Sequence, residues 1–263
     1  MKKPPQEEKL KLRQINILIL LYKYRFLNRI QIQKLLNHKQ FNRVIIWLNE
    51  MTGKKYLKRY YSKRLAPYPA VYSLGVKGRK YLKEIKDKKG IQTPLLDRVW
   101  KEYTYSESFR NHCLFLADIY ISLLSLVNKT KAKLTFYTKT ELTNMQYLIL
   151  PEPDAYFSIR ERTGLSKGYF LDIFNYYSRD KWLVKRAHQY FNYFSKEYWQ
   201  DYNSNPFPEI VLVCPDNSRK GLLERVIKKG LKGEENLTFY LTTWSDIKHQ
   251  GMNRQVLHKV EID

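Results

Sequence analysis

The sequence predicts an α+β protein of two domains, in which a small helical domain precedes a larger α/β domain with a mixed sheet. Residues 8–88 contain three segments with helical spacing of apolar residues, followed by two short β-prone runs. Residues 89–98 lie in a charged stretch that carries Gly90 and Pro94, which is typical of a linker. Residues 99–263 alternate helices with mostly apolar strands.

The first domain is predicted to be a winged helix-turn-helix. Its helices are residues 10–25, "RIQIQKLLN" capped by Asn28, and "QFNRVIIWLNEM" ending at Gly53. The runs "YLKRYY" and "AVYSL" form a hairpin with a basic, proline-bearing tip, and "GVKGRKYLKEI" begins a closing helix. In this fold the third helix enters the major groove of DNA and the hairpin lies along the backbone or the minor groove.

Charge supports a polyanionic partner for this domain. The chain holds 48 lysines and arginines against 25 aspartates and glutamates, a net charge of +23. Residues 1–90 hold 24 basic and 5 acidic residues, whereas residues 91–263 hold 24 and 20. A field concentrated in one third of the chain indicates nucleic acid bound there. A merely solvated basic surface, a membrane surface and a protein-binding winged helix are the alternatives.

The third helix divides into two arcs. Phe41, Val44, Ile45 and Leu48 are expected to face the core, which exposes Asn42 and Arg43 opposite them. An amide pairs with adenine and a guanidinium with guanine, so Asn42 and Arg43 are the candidate base readers. Ile46 is expected either to contact a thymine methyl or to be buried against the second domain. The remaining candidate DNA contacts, mainly to phosphates, are Lys39, Gln40, Lys54, Lys55, Lys58, Arg59, Lys63 and Arg64.

In the second domain two carboxylates stand on successive predicted strands, Asp154 in "PDAYFSIR" and Asp172 in "GYFLDIFNY", and a helix follows from residue 179 to about 198. This arrangement resembles the PD-(D/E)xK nuclease core. The resemblance implies that Asp154 and Asp172 hold Mg²⁺ and that a lysine orients the attacking water. Phe174 stands where that lysine belongs, so Lys181 or Lys185 of the next helix would have to supply it.

Nearly the whole chain also resembles the replication-relaxation family of bacterial plasmids and related mobile elements. The similar motifs, in order, are "NHCLFLADIY", "TELTNM", "PDAYFSI", "FLDIFN", "RAHQY" and "PEIVLVCPDNSRKGLL". The resemblance implies a DNA-binding accessory factor in plasmid replication or mobilisation, without an established enzymatic role. The chain departs from the family pattern at "DIFN", where a glutamate and a later charged pair are more common.

Other chemistries find less support in the sequence. The histidines and the two cysteines lack zinc spacing, no phosphate-binding glycine loop is present, and a relaxase tyrosine would lack its histidine cluster. In the aromatic run of residues 190–199, periodicity favours a core position for Tyr190, Phe191 and Phe194. It leaves Tyr193, Tyr198 and Trp199 for an interface, such as the stacking of single-stranded bases.

The sequence therefore predicts a cytoplasmic protein that binds double-stranded DNA sequence-specifically. Its second domain is predicted to be structural and catalytically inactive. No cofactor is expected to be required, and Mg²⁺ enters only if the carboxylate pair is active. A replication or mobilisation protein and a second copy of the chain are candidate partners, and a membrane is not. The two alternatives are a Mg²⁺-dependent endodeoxyribonuclease using Asp154 and Asp172, and a winged-helix transcription regulator with a dimerisation domain.

Overall fold

The structure, a computed structural model, describes residues 10–61, 68–85, 91–99, 106–143, 145, 148, 151–232 and 236–262. The chain divides into two compact units, Met1–Leu114 and Phe115–Asp263. Helices and two sheets together make a mixed α+β protein, as the sequence predicts at this level. Within the predicted linker of 89–98, residues from Thr93 onward form a helix.

The first unit combines five helices with one small sheet among its described residues. In chain order they are α1 Leu12–Tyr24, β1 Leu27–Asn28, α2 Arg29–Leu35, α3 Phe41–Gly53, β2 Leu57–Tyr60, β3 Val71–Leu74, α4 Val76–Glu84 and α5 Thr93–Val99. The strand order is β1-β3-β2, with antiparallel pairing throughout. Asn28 caps α2 as predicted, because its side chain accepts a hydrogen bond from the Gln31 amide. The hairpin tip with Lys63 and Arg64 lies outside the described residues.

Helical periodicity builds the core of the first unit. Side chains three and four apart fall on one face of each helix, and those that are completely buried include Ile17, Leu18, Leu21, Ile32, Val44, Leu48 and Met51. Each fully buried aliphatic side chain stabilises the fold by about 1.5–3 kcal/mol. Helix α4 closes over this core at Gly78, where an added Cβ would lie 2.3 Å from the Tyr56 carbonyl oxygen. Only glycine permits that approach.

The second unit is built on one six-stranded sheet. Helix α6, Glu107–Thr130, crosses the division between the units. After it come β4 Lys133–Thr138, α7 Lys139–Leu142, β5 Ala155–Arg160, β6 Ser166–Ile173, α8 Asp180–Ser195, α9 Tyr198–Tyr202, β7 Glu209–Cys214, α10 Asn217–Gly230, β8 Phe239–Thr243, α11 Trp244–Gln250, a 3-10 turn Arg254–Val256 and β9 His258–Lys259. The strand order is β4-β5-β6-β7-β8-β9. Strands β6, β7 and β8 are parallel, and the other pairs are antiparallel.

The pleat of β6 decides where the second carboxylate points. Successive side chains of a strand alternate between the two faces of the sheet, so Phe170, Asp172 and Phe174 share one face. Phe170 and Phe174 lie in a buried cluster with Leu183 and Tyr190 of α8. Asp172 is therefore directed into the apolar layer between the sheet and α8, where it is 2% exposed.

Helix α6 is, among the described helices, the one long and apolar enough to cross a membrane. Its apolar side chains are used inside the second unit. Phe115, Ala117, Ile119 and Leu123 are buried, and the Phe115 ring stacks on Trp244 at 4.0 Å between centroids. Because the core helix of a soluble protein passes the same test of length and composition, this helix does not indicate a membrane span.

Candidate nucleic-acid interface and carboxylate cluster

The outer face of α3 carries the predicted base readers. Asn42 and Arg43 are exposed in its first turn, and Ile46, one turn further, is 55% exposed. The inner face differs from the prediction at two places. Phe41 is 39% exposed, with the Arg29 guanidinium 4.3 Å from its ring centroid, while Trp47 is buried. Phe41 contacts Arg29 at the start of α2, and Trp47 fills the core instead.

Basic side chains surround this helix face. Lys39 and Gln40 are exposed immediately before α3, and Lys55 is exposed after it. Lys58 and Arg59 project from β2, with their cationic groups 5.3 Å and 5.1 Å from the ring centroids of Tyr60 and Tyr61. These positions suit phosphate contacts because the charges remain on the surface.

Lys54 differs from the other basic residues near α3. Its ammonium lies 2.9 Å from Glu50 on the last turns of the helix. The same glutamate also accepts a hydrogen bond from the Gln14 side chain at 3.0 Å. Because Glu50 neutralises part of its charge, Lys54 is less suited to a phosphate contact than the exposed Lys55 and Lys58.

In the second unit Asp172 is bound by a guanidinium from α8. Arg186 Nε lies 2.8 Å from Asp172 Oδ2, and Arg186 Nη2 lies 2.9 Å from Oδ1. The Tyr190 hydroxyl donates a third hydrogen bond to Oδ2 at 2.7 Å. Arg186 and Tyr190 are four residues apart on one helix face, so both reach the same carboxylate. This fork-shaped contact is the strong form of an arginine–carboxylate pair.

The Asp154 side chain accepts a hydrogen bond from a backbone amide beside this pair. The β5–β6 ladder ends at Ala155 and Leu171, and the residue before Asp154 is Pro153. The amide of Ile173 therefore extends beyond the paired part of β5, and Asp154 Oδ2 accepts its hydrogen bond at 2.8 Å. The structure thus brings Asp154 next to Asp172, as the sequence predicts, and the Asp154 carboxylate extends the hydrogen bonding between β5 and β6 by one bond.

Neither of the predicted lysines, Lys181 and Lys185, interacts with the Asp172 carboxylate. Phe174 is buried in the core, and its carbonyl accepts a hydrogen bond from Trp244 Nε1 at 2.7 Å. Lys181 and Lys185 are exposed on α8, where they line a groove with Val184, His188 and Leu222. The side chains that interact with the Asp172 carboxylate are Arg186, Tyr190 and Asp154. The catalytic role suggested for Lys181 or Lys185 stays a prediction.

The chemistry of these residues does not fit a Mg²⁺ site. A magnesium ion is held by carboxylate oxygens that still carry their charge and face the ion. Both oxygens of Asp172 already face a guanidinium, and one oxygen of Asp154 faces a backbone amide. Among the residues that the structure describes, no group of three or more histidine, cysteine, aspartate or glutamate side chains could hold a metal ion.

The pKa shifts of Arg186, Tyr190 and Asp172 agree with a permanently charged Arg186 beside Asp172. Burial lowers the pKa of Arg186, but Asp172, Tyr190 and Asp154 together outweigh burial and hold that pKa above its usual value. Burial, reinforced by Asp172, raises the pKa of Tyr190 well above its usual value. Burial also raises the pKa of Asp172, and Arg186 opposes this shift. At neutral pH Arg186 and Tyr190 keep their protons, so both remain hydrogen-bond donors to Asp172.

The aromatic run after Tyr190 is mostly core. Tyr193 and Trp199, which periodicity assigned to an interface, are 1% and 3% exposed, so that prediction is wrong. Helix α8 ends at Ser195 and Glu197 adopts a left-handed conformation with φ 54°, which redirects the chain. Trp199 consequently packs edge-on against Phe170 at 5.5 Å between centroids.

Sequence reasoning missed Arg186 as the partner of Asp172. A usable signal was present, because an arginine and a tyrosine four residues apart place two donors on one helix face. The register of α8 over β6 decides which donors meet Asp172, and this register follows from packing of Leu183 and Ala187 rather than from spacing alone.

Comparison with known proteins gives a family and little else. Among curated proteins no relative matches the chain significantly. One partly similar solved structure, of a mutant of Lactococcus lactis ZitR, is 16% identical and covers 49% of this chain and 80% of that chain, with a TM-score of 0.28. That TM-score is too low to argue from. The replication-relaxation family matches residues 18–210, which is most of the chain, and the chain therefore belongs to the replication-relaxation family.

Proposed function

We propose that the protein holds double-stranded DNA through its first unit and does not cut it, as an accessory factor in the replication or mobilisation of a plasmid-like mobile element. Family membership suggests the biological setting. The proposal takes the first unit as a winged helix-turn-helix with α3 as its recognition helix. A cytoplasmic location follows from such a role.

The observation that carries the proposal is the outer face of α3. Asn42, Arg43 and Ile46 combine an amide, a guanidinium and an apolar group, and all three are exposed on one arc of the helix. That is the combination that reads base edges in a major groove. The surrounding excess of basic side chains in residues 1–90 supplies affinity without sequence information.

The second unit is proposed to have a structural role, with a PD-(D/E)xK-like core that has no catalytic function. Phosphodiester hydrolysis by two carboxylates needs a metal ion and an activated water. The Arg186 guanidinium is paired with Asp172, the carboxylate that would bind the metal. Phe174, a buried apolar side chain, stands where the usual lysine would be. These two features argue against metal-dependent cleavage by this unit and are consistent with a structural role.

The test is a footprint on the DNA that flanks the protein's own gene, with and without Mg²⁺. Wild type is expected to protect a defined segment and to leave the strands intact under both conditions. The variant Arg43→Ala should lose the footprint, whereas Arg160→Ala, which removes an exposed arginine of β5, should retain it. No defined footprint, or one that Arg43→Ala leaves unchanged, would contradict the proposal.

A further inference from the structure

The loop after β6 and the first turn of α8 expose three aromatic rings. Tyr176, Tyr177 and Trp182 are 54%, 83% and 63% exposed. Among the tryptophans that the structure describes, Trp182 alone is exposed. Aromatic rings dominate the energetics of interfaces because they bury a large area at low conformational cost. Their exposure here indicates a binding surface.

Two side-chain hydrogen bonds brace the loop that presents these rings. Asn175 Oδ1 accepts from the Tyr177 amide at 2.9 Å, and Ser178 Oγ accepts from the Asn175 amide at 3.2 Å. Trp244 anchors the start of the loop through its hydrogen bond to the Phe174 carbonyl. A preorganised surface loses less conformational freedom when it binds. The rings are therefore ready for stacking without rearrangement of the loop.

Three cations lie among the rings. Arg179, Lys181 and Lys185 are exposed, and none of them pairs with a carboxylate in the part of the chain that the structure describes. The one acid in this stretch, Asp180, lies 3.2 Å from Arg219 on α10, which offsets its charge. The surface is therefore complementary to an anion.

The surface also has the usual position of a ligand site in an open α/β sheet. Strands β6, β7 and β8 run parallel, and residues 174–179 leave the sheet at the carboxyl end of β6. Ligands of such sheets bind outside the carboxyl ends of the strands. This position is separate from the buried Asp172–Arg186 pair, which lies beneath α8.

We propose that this aromatic–basic surface, formed by Tyr176, Tyr177, Arg179, Lys181, Trp182 and Lys185, binds single-stranded DNA. Unpaired bases stack on Tyr177 and Trp182, and the lysines contact the phosphates. Lys185 Nζ lies over one face of the Trp182 ring, 5.4 Å from its centroid, so a base that stacks on the opposite face has a cation nearby for its phosphate. A duplex keeps its base faces stacked internally and cannot use the rings. The rings and Arg179 would also suit a protein interface, but lysine is depleted in such interfaces, so Lys181 and Lys185 favour phosphates.

This inference goes beyond the proposed duplex binding by the first unit, because it assigns unpaired strands to the second. The test is fluorescence anisotropy of the full chain with a labelled oligothymidine of about 16 nucleotides, the upper end of the site sizes of OB-fold proteins. Trp182→Ala is expected to weaken binding on the order of 10-fold. The matched control is Tyr202→Ala, because Tyr202 is 65% exposed but lies beside Asp201 on α9. Affinity for duplex should be unchanged in both variants.

Salt dependence provides the second measurement. Each phosphate contact to a single strand contributes about −0.7 to the slope of log K against log salt concentration. Lys181→Gln/Lys185→Gln should therefore make the slope less steep by about 1.4, while Lys129→Gln/Lys133→Gln, which removes two other exposed lysines, should leave it unchanged.

The inference is overturned if wild type ignores the oligothymidine under conditions where it binds duplex, or if Trp182→Ala binds it as tightly as Tyr202→Ala. Either result would indicate that the surface binds a protein partner instead. Arg43→Ala separates this inference from the proposed function, because it should reduce duplex affinity and retain single-strand affinity.

Discussion

Removing the guanidinium of Arg186 should strongly destabilise the second unit. Asp172 has a side-chain exposure of 3% and would be left as a buried carboxylate without its cation. Leaving one member of a buried ion pair alone costs about 3–5 kcal/mol. Arg186 also donates to the Glu152 carbonyl at 2.7 Å, and that hydrogen bond would be lost too. Arg186→Ala is therefore expected to lower the free energy of unfolding by about 3–5 kcal/mol.

Urea unfolding followed by circular dichroism measures this loss. The variants can be compared if the slope of the unfolding free energy against urea concentration is the same for each. Lys185→Ala is the matched control, because it removes an exposed cation from the preceding position and should change stability by less than about 0.5 kcal/mol. Asp172→Ala/Arg186→Ala should lose about 2 kcal/mol less than the sum of the two single variants, since the double variant leaves no unpaired charge. If Arg186→Ala unfolds within about 1 kcal/mol of Lys185→Ala, the reasoning about Asp172 is refuted.

Three further predictions concern DNA affinity, packing and pH. If the first unit neutralises about 5–8 phosphates of a duplex, log K should fall against log salt with a slope of roughly −5 to −7, and a slope near zero in a titration would contradict this. Gly78→Ala should destabilise the first unit by about 1–3 kcal/mol in thermal melts, because its Cβ would overlap the Tyr56 carbonyl. The control Gly221→Ala, with nothing within 4 Å of the new methyl, should be neutral or slightly stabilising. Burial raises the pKa of Cys214 to about 12 from an ordinary value of 9.0, so its contribution to stability is present below pH 9 and is lost as the pH rises toward 12. Cys214→Ala should therefore lose less stability than wild type between those pH values in urea titrations, and equal losses would exclude this cause.

The elements were predictable from the sequence wherever periodicity and caps coincide. Helix α3 begins and ends close to the predicted residues, and Asn42 and Arg43 are exposed because they lie opposite Val44 and Leu48. Asp154 and Asp172 were also predictable as neighbours, since a hairpin joins their strands. These are local inferences, in which a few residues of sequence determine the geometry.

Features that depend on how elements pack could not be predicted in the same way. The partner of Asp172 depends on how α8 lies over β6, and spacing alone does not distinguish Arg186 from Lys181 or Lys185. Trp199 becomes buried only because the chain turns at Glu197 and brings α9 back against the sheet. The exposure of Trp182 is likewise a tertiary property, because its neighbour Leu183 carries the buried face of the helix.

One gel tests both whether the protein holds DNA and whether it leaves the DNA uncut. Supercoiled plasmid is incubated with the full chain in Mg²⁺ or Mn²⁺, and half of each sample is treated with protease before electrophoresis. We expect retarded plasmid in the untreated samples and fully supercoiled plasmid after protease treatment. Nicked or linear plasmid produced by wild type but not by Asp154→Ala/Asp172→Ala would make the protein a metal-dependent nuclease and contradict the account.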